Sequence, residues 1–336
     1  MKRIALIAGL CAALVLGGCR AKPDANGWYE DFDAAKKVAA AQDKNILLFV
    51  NSDVDFDGSA DGVALLLSSP EFTEALSERY VCVHFDFTEE ARMMGFDLES
   101  ATSEEQKAAE KNQALKERQY EVADLLFIRE TPSVIITTKE GYYVATVVFD
   151  YLSPSVDGYV QLVEQEDEAV QEISALAAAA RKGSALERVR AIDALYNATP
   201  QTQTMLLAEL YRKVPDLDKK NETGLVSKYL VATAHSDAYA RLVKMEVAEA
   251  VDVYEKFAED SRLDPVDRQT LYYAAANLLI SSGAPDIDGV VSLLDKAVEA
   301  APESSYAENI AELIARIISF SEQDRADAEA QSADAK

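Results

Sequence analysis

One short segment, VCVHFDF at 81–87, carries three groups that could act together: Cys82, His84 and Asp86. Spaced two apart, they lie on the same face of an extended strand. A thiol beside an imidazole becomes a nucleophile when the imidazole takes its proton and a third group holds the base in place. Such a thiol must also be accessible, whereas a cysteine in a central strand is ordinarily a small buried apolar residue. The expectation is that Cys82 is buried and inert, that His84 is buried and satisfied by a hydrogen bond, and that the chain has no catalytic residue. Asp86 either orients His84 or faces solvent at the strand end. The second histidine, His235, has no ligand set near it in sequence. No Gly-x-Ser-x-Gly elbow, His-Glu-x-x-His helix or phosphate-binding glycine loop occurs.

Residues 51–62 read NSDVDFDGSADG and raise a second chemistry. Asp53, Asp55 and Asp57 occupy positions 1, 3 and 5 of an EF-hand-like pattern, with Gly58 at position 6 and Asp61 at position 9. Carboxylates at alternate positions can wrap around Ca²⁺, and the glycine permits the sharp turn. Position 12 is Ala64, where the bidentate glutamate belongs, and a strand-like run precedes Asp53 in place of a helix. The expectation is a surface loop. Asp53, Asp55, Asp57 and Asp61 are its metal-ligand candidates, and any Ca²⁺ is held weakly. No other cofactor is expected.

These groups need elements to position them. DFDAAKKVAAAQDKN at 31–45 reads as a helix with Phe32, Ala35, Val38 and Ala39 on one face. ILLFV at 46–50 is a continuous apolar run, the pattern of a buried strand. SPEFTEALSERY at 69–80 is a helix capped by Ser69 with Pro70 in its first turn. VCVHFDF is the next strand, and 88–120 is largely helical. TPSVIITT at 131–138 and YYVATVVF at 142–149 read as antiparallel strands around the turn KEG. Beyond 165 no strand is expected, only helical hairpins. Within them 268–302 resembles a tetratricopeptide-like pair, with Tyr273, Ala274, Ala275 and Leu278 in one helix, Leu294, Ala297, Val298 and Ala301 in the next, and Pro302 as the stop. The polar tail 321–336 is expected to be disordered.

The first half resembles the thioredoxin-like family. The matching pieces are WYEDFDAAKKVAAAQDKNILLFVNSD at 28–53, SPEFTEALSERYVCVHFDF at 69–87 and ETPSVIITTKEGYYV at 130–144. The resemblance implies an α/β thioredoxin-like domain over 28–165, followed by an all-α helical-hairpin domain over 166–320. It implies a cis peptide at Thr131-Pro132 and a groove beside these two residues that takes an extended peptide. Redox members of the family carry Cys-x-x-Cys after the equivalent of Ser52-Asp53. Here Val54, Asp55, Phe56, Asp57 and Gly58 stand there. Thiol exchange needs one thiolate to attack and a second thiol to resolve the mixed disulfide, and this position offers neither.

The chain opens with MKRIALIAGLCAALVLGGCR: two cations, then an apolar run too short to span a bilayer. Leu16-Gly17-Gly18-Cys19 resembles the bacterial lipoprotein signal. The resemblance implies a signal peptide over 1–18, lipidation of Cys19, a flexible tether over 19–27, and anchoring in the cell envelope. Arg20, in place of an inner-membrane retention aspartate, points to the periplasmic side of the outer membrane. The net charge of −26 repels nucleic acid and anionic lipid heads. Cysteines stand at 11, 19 and 82, so the processed body would keep one thiol and no internal disulfide. The function expected is an anchored, non-enzymatic scaffold for an envelope protein or peptide. A thiol-dependent enzyme and a weak calcium-binding module are the alternatives.

Overall fold

The computed structural model describes residues 22–53, 59–89, 91, 103–150, 154–283 and 286–334. Cys19, Asp55 and Asp57 lie outside the described residues, as does the side chain of Asp61. Two compact units divide the chain. One takes Met1–Gln119, Thr131–Val134 and Val148–Leu162, and the other takes Tyr120–Glu130, Ile135–Val147 and Val163–Lys336.

Helix α1 (Phe32–Gln42) starts where the Asp31 carboxylate accepts the Ala34 N–H at 3.0 Å, and buries Phe32, Ala35 and Ala39. It ends at Asp43 in the left-handed region (φ 55°). Strand β1 (Asn45–Asn51) follows, with Ile46 through Val50 completely buried, as its unbroken apolar run requires. Helices α2 (Ser59–Ser68) and α3 (Pro70–Leu76) lead to β2 (Tyr80–Asp86), which runs parallel to β1. The acidic segment expected to be a loop through residue 62 is therefore helical from Ser59. The apolar run that follows gives α2 a face to bury, with Leu66 at 1% exposure. Ser69 stands at the N-cap of α3 but does not cap it through its side chain. Its hydroxyl donates 2.7 Å to the Glu71 carboxylate instead.

After α4 (Ser103–Leu125) come β3 (Ser133–Thr137) and β4 (Tyr143–Val147), joined by a short turn with Gly141 at φ 90°. A connection this short makes the two strands antiparallel. The four-stranded sheet has the order β2-β1-β3-β4, and the Thr131-Pro132 peptide is cis. Parallel β1–β2, the helical crossover, the cis proline and the closing hairpin make this region thioredoxin-like.

The N-terminal segment is tied down earlier than a tether over 19–27 would be. The Asp24 carboxylate accepts the N–H groups of Asn26 (2.9 Å) and Trp28 (2.8 Å), and Thr73 donates to the Asn26 carbonyl at 2.6 Å. Tyr29 bridges to Val83 on β2, its N–H on the Cys82 carbonyl and its own carbonyl receiving the His84 N–H. A side chain at Gly27 would meet Thr73 Oγ1 at 2.7 Å, so the strap lies flush against α3.

The helical region comprises α5 (Val156–Glu164), α6 (Asp167–Ala179), α7 (Ala185–Ala198), a 3-10 turn (Gln201–Leu207), α8 (Ala208–Tyr211) and α9 (Val214–Leu217). Then come α10 (Val226–Leu242), α11 (Val247–Ala258), α12 (Pro265–Ser281), α13 (Ile287–Ala300) and α14 (Ala307–Asp334). Helices α10 to α14 pack each on the next around an alanine-rich core. In the pair resembling a tetratricopeptide repeat, Ala275, Leu294 and Ala297 are fully buried, while Tyr273 is 36% exposed. The tail 321–336, expected to be disordered, instead continues α14 to Asp334. Its alanines, glutamates, glutamines and arginine are good helix formers, which outweighs the low apolar content.

Candidate functional site

The candidate site forms where β1 and β2 end beside the cis proline. The strand register pairs Leu47 with Cys82, Phe49 with His84, and Asn51 with Asp86. These six residues share one face. The His84 ring stacks on Phe49 (centroids 5.5 Å apart, 21° between planes) and meets Trp28 edge-on at 6.2 Å. Its Nε2 lies 2.6 Å from Asn51 Oδ1. A carbonyl oxygen only accepts, so Nε2 carries the proton in this arrangement. Burial pushes the imidazole pKa down to about 4, against smaller upward pulls from Asp86 and Asp24. His84 is therefore neutral at pH 7 and satisfied, as expected, but its partner is Asn51 and not Asp86. The Asp86 carboxylate accepts the Thr88 N–H at 3.0 Å, and the Asp86 carbonyl receives Lys116 Nζ at 2.8 Å.

Cys82 lies on the same face but is 4% exposed. Burial pushes its thiol up to about 12, so almost no thiolate exists at neutral pH. His84 hydrogen-bonds Asn51, and no hydrogen bond joins it to Cys82. The triad drawn from spacing alone does not assemble.

Ser52 and Thr131 join β1 to the cis peptide through a hydroxyl–hydroxyl hydrogen bond of 2.5 Å. Thr131 and Pro132, the expected groove residues, thus stand directly beside the end of β1. Of the four metal-ligand candidates only Asp53 is described with its side chain, and that carboxylate accepts the Glu89 N–H. Among the described residues no group of three or more His, Cys, Asp or Glu is arranged to hold a metal ion. Nor is any described helix long and apolar enough to cross a membrane.

Beside Trp28 lies a cleft of about 540 Å³ between the N-terminal strap and α4, lined by Asp24, Trp28, Glu30, Lys111, Leu115 and Arg118. Arg118 closes one end on Asp33 at 2.8 Å, and its guanidinium lowers the Asp33 carboxyl pKa. Gln119 donates to the Glu30 carbonyl at 2.9 Å. The Trp28 indole N–H and Gln119 Oε1 are buried without a hydrogen-bond partner. His235 makes an isolated contact, Nδ1 to the Tyr254 hydroxyl at 2.9 Å, consistent with its lack of neighbouring ligands in sequence. Sequence reasoning missed Asn51. Its signal was its place two residues beyond Phe49, which becomes meaningful only once the β1–β2 register is known.

Comparison with known proteins adds little chemistry. Residues 225–323 match the model of a family described as an uncharacterised protein C-terminal domain. An uncharacterized protein of Treponema pallidum (strain Nichols) is 22% identical over 257 residues, which are 76% of this chain and 80% of that protein. Among solved structures, DsbH Oxidoreductase is 23% identical and covers 46% of this chain and 91% of its own, with a TM-score of 0.27.

Proposed function

We propose that this chain is an envelope-anchored lipoprotein whose thioredoxin-like domain binds a protein or extended peptide and does not exchange disulfides. The observation that carries this reading is the state of Cys82. It is the only thiol among the described residues, buried in β2 with its pKa raised to about 12. The position that would carry the attacking and resolving thiols reads Val54-Asp55-Phe56-Asp57. What remains of the site is the end of β1 beside a cis proline, where Thr131 and Pro132 border the place at which an extended segment would add through its backbone. Anchoring through Cys19 rests on Leu16-Gly17-Gly18-Cys19 after its apolar run.

The test is turnover of insulin disulfides by the full chain in detergent, beside its Cys82→Ala form. Both should stay at background. Turnover lost in the alanine form would replace the scaffold with a thiol enzyme. Anchoring is read separately: Cys19→Ser should leave the membrane fraction and lose incorporation of a fatty-acid analogue, and a wild-type chain that never incorporates the analogue would remove the lipid from this reading.

A further inference from the structure

A groove of about 460 Å³ runs between the outer faces of α13 and α14. Ile287 and Val291 from α13 and Ile318 from α14 supply its apolar residues. Ile318 is 41% exposed, and Phe320, on α14 but outside the groove lining, is 70% exposed. The end helix of a helical stack normally turns a polar face to water, because nothing further packs on it. Helix α14 departs from that pattern over this stretch. The rim has one sign: Asp288, Asp295 and Glu299 on α13, and Glu322 on α14. The one cation among the lining residues, Lys296, is already engaged, its Nζ 2.8 Å from Glu255 Oε1.

We infer that this groove docks a basic amphipathic helix of a partner protein. Apolar side chains at helical spacing would enter between Val291 and Ile318, and lysines or arginines would meet the rim carboxylates. The α13 stretch 287–299 is about 18 Å long, which matches about three turns of a docked helix. A second copy of this chain fits poorly, since it brings another net charge of −26 to an acidic rim. The rest of α14 cannot fill the groove, because it runs on as continuous helix to Asp334. The inference rests on the scaffold reading only in taking the partner to be a protein, and it concerns a surface other than the cis-proline end.

The probe is a fluorescein-labelled helical peptide of leucine and lysine with one apolar face, titrated into the full chain in detergent and read by anisotropy. Saturable binding is expected. It should weaken at least tenfold in an Asp295→Lys plus Glu299→Lys form and in an Ile318→Glu form, all at exposed positions, with unchanged circular dichroism. A scrambled peptide of the same composition should bind at least tenfold more weakly. Equal binding of the two peptides, or unchanged affinity in both variants, overturns the inference. So does self-association by sedimentation that Ile318→Glu abolishes, which would make the occupant a second copy. Loss of binding in Thr131→Ala with no loss in the groove variants would also overturn it, while leaving the scaffold reading in place at the cis-proline end. Turnover in the insulin assay would instead strike the scaffold reading and leave the groove result standing.

Discussion

The β1–β2 pair and the α10–α14 stack are both well buried, but different side chains do the burying. In β1 five consecutive residues, Ile46 to Val50, are completely buried, and the polar pair Asn51–His84 comes only at the strand end. In the stack the fully buried positions are largely alanine: Ala234, Ala238, Ala250, Ala258, Ala275, Ala276 and Ala297. Each alanine removes little area from water, so area alone specifies the helix arrangement weakly. Directional bonds supplement it. The buried Gln269 amide donates to the Ala297 carbonyl (3.0 Å) and the Ala301 carbonyl (3.3 Å), and accepts from Ser304 at 2.6 Å. Arg268 donates to the carbonyls of Ala258 and Asp260. Ser227 donates to Asp267 and receives the Asp264 N–H. The strands are held by the quantity of carbon they bury, and the helices by small side chains plus polar clamps.

That contrast can be broken at its strongest point. Phe49→Ala removes the ring beneath His84 and Trp28, and should cost about 3–5 kcal/mol in chemical denaturation. A cost near 1 kcal/mol would show that the strand core readily collapses around the gap.

Acid gives the next largest effect. The fold lowers the His84 pKa from the usual 6.5 to about 4, so it favours the neutral ring. Above about 6.5 the group takes nothing from stability. As pH falls through that value the unfolded chain takes up a proton that the folded chain refuses, and stability declines until the folded ring titrates near 4. The total is at most about 3 kcal/mol, because the ring keeps some contact with solvent. Stability measured against pH should show this decline in the wild type and a shallower one in His84→Gln. Parallel curves would remove His84 as the source.

Gln269→Leu sharpens the comparison from the helical side. Two carbonyls lose their donor and Ser304 loses its acceptor, so a loss of about 1–3 kcal/mol is expected by urea titration. A loss under about 0.5 kcal/mol would mean that the alanine packing suffices. The smallest effect is at the surface. Ser184 and Glu187 form a reciprocal capping box at the start of α7, and Ser184→Ala should cost about 1 kcal/mol.

The two regions also differed in what their residues disclosed. The strands were legible because a continuous apolar run fits few other structures, and the cis peptide because Thr131-Pro132 matched a family pattern. Burial of Cys82 followed from its place in a central strand, where a cysteine is ordinarily a small buried apolar residue. The partner of His84 was not legible, since Asn51 meets it through a cross-strand register that no local pattern encodes. Helix α2 was missed at its start, where Ser59 to Gly62 have the composition of a turn and the apolar face comes just afterwards. The stretch 24–27, part of the expected tether over 19–27, looked loose by composition, yet one aspartate accepting two backbone N–H groups locks it. The clamps of the stack were equally hidden, since no local pattern pairs Gln269 with the Ala297 and Ala301 carbonyls or Arg268 with those of Ala258 and Asp260.

The lock at Asp24 has a geometric consequence if Cys19 carries lipid. Only residues 19–23 then separate the acyl chains from a rigid body, and fully stretched they reach about 17 Å. The domain would ride close against the bilayer, unable to sample the depth of the periplasm. Under the scaffold reading, any chain it binds would have to come within that short reach of the membrane surface, so distance from the lipid would select partners before affinity does.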